Sequence, residues 1–227
     1  MANAEDTESP KRRAILGAAA ELFVARGYGA VSMDAIARAA DVSKATLYAH
    51  FESKDRLFAT IVNVACLENM MPEEDLPVGE TLGGVRDIAA ALRSIGGRVL
   101  RFVLADRTLA IHRLVIAESV RFPELGQTFY ESGPAVSLNR LAVWLARQHA
   151  LAVPDPVIAA EQFLGLLRTG IYFRAITGVG PEPGEPAIDA VVTAAVRTFL
   201  RAYGAEERVL EVDAEPGGDA REQGKRA

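Results

Sequence analysis

Apolar residues in this 227-residue chain recur at spacings of three and four almost throughout, and no stretch alternates apolar with polar positions. Residues three and four apart share one face of a helix, whereas residues two apart share one face of a strand. The pattern therefore predicts an all-α fold. Half of the residues are hydrophobic, which is enough apolar surface for a buried core in one or two domains of ordinary size.

Local punctuation places the helices. Ser9 suits an N-cap, Pro10 the first helical position and Gly27 a stop, so a helix is predicted over 10–26 with Ile15, Ala19, Leu22 and Phe23 on one stripe. Ser32 caps a short second helix carrying Ile36, Ala37 and Ala40. "DVS" then turns the chain into a third from Lys44 to His50, and Ser53 caps a fourth from Lys54 to about Asn69. "NMMPEEDLPVGETLGG" reads as a linker. A long helix follows over 85–104, which Gly96 and Gly97 weaken or bend unless a neighbour packs closely there. Further helices are expected from Arg107 to about Phe122, from Pro123 onward, and again after a break at "ESGP", residues 131–134.

The last two predicted helices differ in character. Over 155–176, Val157, Ile158, Phe163, Leu164, Leu166, Leu167, Ile171, Tyr172 and Phe173 spread around most of the circumference, as in a helix buried on more than one side. Over 186–203 a wide stripe includes Val192, Val196 and Phe199. The expected organisation is a disordered residue 1–9 segment, an N-terminal module over 10–58, a helical body over 59–204 and a disordered tail over 205–227.

Charge is unevenly divided. The chain as a whole is net −5, yet residues 10–58 hold eight Lys or Arg against five Asp or Glu, leaving +3 there and −8 elsewhere. A modestly basic module on an acidic body keeps attraction to polyanions local. Cys66 is the only cysteine, so no intrachain disulfide forms and a reducing, cytoplasmic setting is expected. The acidic start is followed by no apolar stretch of secretory type, and no apolar run reaches the ~18 residues a membrane span needs, so no membrane association is expected.

Two short helices joined by a three-residue turn, with another packed behind, make a helix-turn-helix. On the second of them, at ~100° per residue, Leu47 and Phe51 face inward while Ala45 and Ala49 point outward. Thr46 and Tyr48 fall on the flanks, with Lys44 and His50 nearer the rims. Small outward residues let a helix sit deep in a major groove, and flanking hydroxyl and basic groups reach phosphate oxygens. Ser43, as N-cap, turns the positive helix end toward the same backbone, and Ser53 with Lys54 repeats the device. Taken alone, the segment also fits an ordinary helical hairpin with a solvated polar face.

The stretch "RRAILGAAAELFVARGYGAVSMDAIARAADVSKATLYAHFESKDRLF" resembles the DNA-binding domain of the TetR/AcrR family of bacterial transcription regulators. Ala20, Phe23, Gly27, Tyr28, Ile36, Ala37, Ala40, Val42, Thr46, Tyr48, Phe51, Lys54 and Leu57 carry the likeness in one register. It implies that Lys44, Ala45 and Tyr48 meet bases or adjoining backbone and that Ser32, Thr46, His50 and Lys54 touch phosphates. "ESVRFPELGQTFYESGP" and "AAEQFLGLLRTGIYFRAITG" resemble, more weakly, the ligand-binding half of AefR-like members. That likeness implies a homodimer in which the last two long helices pair with their partner copies, with Phe173, Val192, Val196 and Phe199 as interface candidates.

Catalytic patterns are missing. No His has an acidic residue three or four positions away, "GVGPEPG" lacks the third glycine of a dinucleotide fingerprint, and neither a GxSxG nor a Walker motif occurs. No metal and no cofactor are expected. In the body, Phe102, His112, Ile116, Trp144, Phe163, Arg168 and Tyr172 mix aromatic bulk with a few polar tips, and Arg168 and His112 are the candidate anchors for a lipophilic effector. A packed helical core explains the same residues. The expected partners are double-stranded operator DNA, a small lipophilic molecule and a second copy of the chain. The expected function is a ligand-released repressor on a pseudopalindromic operator; a helical binding protein or enzyme that keeps a helix-turn-helix module is the alternative.

Overall fold

The computed structural model describes residues 9–69 and 85–205. Within them the chain forms α1 (Pro10–Arg26), α2 (Met33–Ala39), α3 (Lys44–His50), α4 (Lys54–Asn69), α5 (Val85–Leu104), α6 (Asp106–Glu118), α7 (Pro123–Ser132), α8 (Pro134–Ala146), α9 (Pro156–Leu167), α10 (Gly170–Thr177) and α11 (Glu185–Tyr203). No strand occurs among the described residues; an isolated antiparallel bridge joins Leu151 to Gly204. The expected linker and both expected disordered ends lie outside the described residues, apart from Ser9, Asn69 and Ala205 at their edges.

Serine caps start the N-terminal helices as the sequence predicts. Ser9 Oγ accepts from Arg12 N at 3.1 Å, Ser32 Oγ from Ala35 N at 3.2 Å, Ser43 Oγ from Thr46 N at 3.0 Å and Ser53 Oγ from Arg56 N at 3.2 Å. Each satisfies a backbone donor that the first turn leaves open, worth ~1 kcal/mol. Between α2 and α3 the backbone turns through Asp41, whose φ of 54° is the left-handed conformation a short Asp side chain tolerates.

An aromatic cluster closes the module. Phe23, Tyr28 and Phe58 are fully buried with ring centroids 5.3 to 6.0 Å apart, and Leu47 and Phe51 fasten α3 beneath them. Burial of each such side chain stabilises by ~1.5–3 kcal/mol before entropy is charged against it. Phe122, at the start of α7, joins the cluster 5.8 Å from Tyr28. The module is thereby packed directly on the body.

In the body α5 lies against α11, α8 against α9, and the second half of α4 against α7. The two glycines of α5 do not bend it apart. A Cβ at Gly96 would stand 3.2 Å from Leu167 and 3.3 Å from Val192, so this glycine allows α9 and α11 to approach.

Three expectations are corrected. The helix predicted over 155–176 is two helices, because after Leu167 the poor helix formers Thr169 and Gly170 follow and the Arg168 N–H folds back to Leu164 O and Gly165 O. The helix predicted to reach Phe122 ends at Glu118. Val192, Val196 and Phe199 turn into the protomer's own core at 4%, 1% and 1% exposure, packing α11 on α5 and α9, and are unavailable to a partner. Phe173, by contrast, is 69% exposed.

Candidate nucleic-acid interface and effector cavity

The face of α3 opposite Leu47 carries the polar cluster. Lys44, Ala45 and Ala49 are exposed, Tyr48 is 43% exposed, and Thr46 and His50 are half-buried. Ala45 and Ala49 leave a shallow strip beside Lys44 and Tyr48, whose ammonium and ring lie 5.9 Å apart. Lys44 Nζ also stands 2.9 Å from the Asp34 carboxylate of α2, and this hydrogen-bonded partner raises its pKa. Both partners are half-exposed, so a phosphate oxygen can displace the carboxylate at little cost. The Thr46 hydroxyl is 2.8 Å from Ser43 Oγ, which locks the N-terminal end of α3.

Lys54 is placed differently from the expectation. Its ammonium donates to Tyr28 O at 2.9 Å and Val31 O at 3.2 Å and sits 4.2 Å from the Tyr28 ring centre. Burial lowers its pKa. Two of its three N–H groups therefore hold the α1–α2 turn, which Tyr28 also ties to α4 by donating its phenol hydrogen to Asp55. Ser32 caps α2 with its oxygen and keeps a hydroxyl hydrogen to donate.

Behind the module, a cavity of about 770 Å³ lies between α1, α4, α5 and α6, closed at one side by Phe129 and Pro134. That volume is within the range of small-molecule sites. Its walls are largely apolar, from Leu16, Ile61, Val62, Phe102, Val103 and Ile111. His112 faces it with Nδ1 2.8 Å from the Tyr172 hydroxyl and its ring edge-on to Phe129 at 5.4 Å. Burial, with the Arg168 charge adding to it, pushes this imidazole down to about 4, so it is neutral at physiological pH. The Cys66 thiol is pushed up to about 11 by burial and is a small core group in its thiol form.

Of the residues expected to surround a ligand, Phe102, His112 and Arg168 line this cavity, and Tyr172 borders it through His112. Ile116 does not: it is 64% exposed, since the stripe that His112 belongs to leaves the interior one turn later. Trp144 and Phe163 are core residues, buried to 3% and 0%. Sequence reading missed Thr108, one turn before His112 on α6 and legible from that spacing, and Arg107 and Ile111, which form the adjoining i, i+4 row. It also missed Arg12, Arg13 and Leu16 of α1, for which no local signal exists. A second, more open groove of about 810 Å³ between α5 and α11 is lined by Arg93, Arg98, Arg101 and Asp189; there Arg101 is paired bidentately with Glu185 at 2.7 to 3.0 Å.

Among the described residues no group of His, Cys, Asp and Glu is arranged to hold a metal, and no helix is long and apolar enough to cross a membrane. The family model described as bacterial regulatory proteins, tetR family, matches residues 15–61, and that of the AefR-like transcriptional repressor C-terminal domain matches residues 90–205. The chain is 44% identical over 50 residues to the HTH-type transcriptional regulator QacR of Staphylococcus aureus, covering 22% of this chain and 27% of QacR. It is 50% identical over 52 residues to the HTH-type transcriptional activator FasR of Mycolicibacterium smegmatis, covering 23% and 24%. The match thus spans about a quarter of each of these two curated relatives. The solved structure of the Flavonoid-responsive Regulator FrrA superposes with a TM-score of 0.69 at 37% identity, over 86% of this chain and 98% of FrrA. QacR and FasR are transcriptional regulators, and FrrA is a regulator.

Proposed function

The chain belongs to the TetR family of bacterial regulatory proteins, with an AefR-like C-terminal domain, and we propose that it is a cytoplasmic homodimeric repressor released from a pseudopalindromic operator by a small lipophilic effector. The observation that carries the DNA-binding face is the strip on α3, where two exposed alanines lie beside Lys44 and Tyr48 while Leu47 is fully buried on the inward side. Such a helix enters a major groove without steric obstruction, and a dimer presents two of them to half-sites ~34–36 Å apart or at a somewhat longer spacing. Ser32, Ser43, Thr46 and His50 rim this face as phosphate contacts, and Lys54 holds the turn behind it while one N–H remains for the backbone.

Phe173 remains an interface candidate, joined by Ile158, which is 48% exposed on α9, and by the exposed Ala190 and Ala194 of α11. Closed two-fold symmetry suits such a self-complementary patch. The cavity supports a small-molecule response, as does the likeness to a flavonoid-responsive regulator. An effector that prefers the DNA-incompetent arrangement by ~1–3 kcal/mol weakens operator binding by ~5- to 150-fold. Selection of bound duplexes from a random pool tests this reading. It should return one inverted repeat, and enrichment of no sequence would favour a binding protein that merely keeps the module.

A further inference from the structure

We propose that the effector is an amphiphilic anion, its acid group held by Arg168 and its apolar body filling the cavity between α1, α4, α5 and α6. The inference rests on the effector-responsive function proposed above. Its first support is the sign of the lining. Arg12, Arg13, Arg107 and Arg168 line the cavity and, among the described residues, no Asp or Glu does, in a chain that carries 30 acidic residues against 25 Lys and Arg. An acidic protein that excludes carboxylates from one cavity wall repels cations from it and draws anions in.

Arg168 is the second support. It is largely buried at the end of α9, its Nε finds no hydrogen-bond partner, and among the described residues no carboxylate pairs with it. The groups that influence its charge are the neutral Cys66 and Tyr172, and its own charge in turn bears on Cys66, His112 and Tyr172. Arginine cannot escape burial by losing its proton, and a buried charge without a partner is costly. A guanidinium fork matches a carboxylate or similar acid group in shape and charge. A neutral ligand leaves that fork unpaired, and a cationic one meets like charge. The hydroxyl of Tyr172 and the imidazole of His112, 2.8 Å apart, complete a polar end beside apolar walls from Leu16, Ile61, Phe102 and Ile111.

Calorimetric titration of the full-length protein tests this with matched probes: decanoate against methyl decanoate and decyltrimethylammonium, and 2-naphthoate against its methyl ester. At least one carboxylate should bind about tenfold or more tightly than its ester, as expected of ~1.4 kcal/mol from a charge-assisted pair. Arg168→Met should bring acid and ester within about twofold while leaving the ester unchanged, and Arg168→Lys should keep part of the preference. Equal binding of acid and ester, tighter binding of the ammonium, absence of binding by every probe, or a preference that survives Arg168→Met would overturn the proposal. Ligand-free melting provides a second measurement. Arg168→Met should melt at or above the wild-type temperature, whereas a fall of more than about 5 °C would show an arginine paired within the chain and overturn it too. Retardation of selected operator DNA, run in parallel, separates the two readings: Arg168-dependent carboxylate binding without DNA binding sinks only the repressor, and the converse sinks only the anion.

Discussion

Acid should weaken this fold through His112 before it reaches most carboxylates. Burial and the neighbouring Arg168 charge hold the imidazole at about 4 in the folded chain, against 6.5 for an ordinary histidine. Between those values the unfolded chain binds a proton that the folded chain does not, so stability rises with pH across the window. The contribution is complete above the unfolded value and is lost as the pH falls toward the folded one. At ~1.4 kcal/mol per pH unit the whole window corresponds to ~3 kcal/mol, an upper figure because a charged imidazole would admit water. Roughly 2 kcal/mol of it should be gone by about pH 5. His112→Gln removes the titration and keeps a polar partner for the Tyr172 hydroxyl, so its own cost is independent of pH. Urea unfolding followed through Trp144, the one tryptophan of the chain, reads both proteins at one fixed protein concentration, so that the proposed dimerisation affects both alike. The wild-type advantage over the variant should shrink by ~2 kcal/mol between about pH 7.5 and about pH 5. Parallel stability curves would refute a buried neutral His112.

Other substitutions probe the remaining parts. Lys44→Ala should lower the salt dependence of operator binding by about one phosphate contact, and Tyr48→Ala should weaken binding by about tenfold or more, both with unchanged helicity; unaltered affinity and salt slope would remove α3 as the reading face. Leu47→Ala leaves a cavity beneath α3 and should cost ~2–5 kcal/mol in urea unfolding, abolishing DNA binding along with it. Cys66 should resist alkylation at about pH 8 until the protein is unfolded, because burial raises its thiol to about 11. Phe173→Asp, at an exposed position, should leave the protomer folded and shift sedimentation from dimer to monomer if α10 belongs to the subunit interface.

The N-terminal module was legible because its signals are local. Each serine cap, the Gly27 stop and the Leu47 to Phe51 spacing specify their own helix, and the structure reproduces those boundaries. The body was legible in its helices but not in their facing. The stripe on α11 is wide, and nothing in it tells which half packs on α5 and α9, so the expectation that Val192, Val196 and Phe199 stand at an interface meets side chains that the protomer's own core buries. Helical periodicity continues across Arg168, yet the weak pair Thr169 and Gly170 breaks the helix there because the chain must redirect to pack α10 on α6 and α5. The cavity escaped in part for a similar reason. Arg12, Arg13 and Leu16 reach it only because α1 packs beside α4 and α6, a long-range contact that no window of sequence contains. Lys54 is the subtler case, since a lysine at a helix start reads equally well as a phosphate contact or as a clamp on backbone carbonyls.

That clamp bears on how a cavity in the body can act on a reading helix it does not touch. Two helices line the cavity and also grip the α1–α2 turn. From α4, which contributes Ile61 and Val62 to the wall, Lys54 holds Tyr28 O and Val31 O while Asp55 takes the Tyr28 hydroxyl. From α6, which contributes Ile111 and His112, Glu118 accepts the Gly29 N–H at 3.4 Å, and Phe122 just beyond packs on the Tyr28 ring. The turn fits these grips closely: a Cβ on Gly29 would lie 2.8 Å from the Phe122 ring, and Gly27, at φ 79°, would bring one within 2.9 Å of Glu118. Any change in the separation of α4 and α6 therefore pulls on one residue, Tyr28, from two sides. Close-packed aromatic contacts do not stretch continuously. The turn must follow one helix or the other, and α2, packed on α1, turns with it together with α3, packed on α2. Under the proposed function, an effector that widens the cavity by a fraction of an ångström passes that displacement through the α1–α2 turn to the DNA-facing strip.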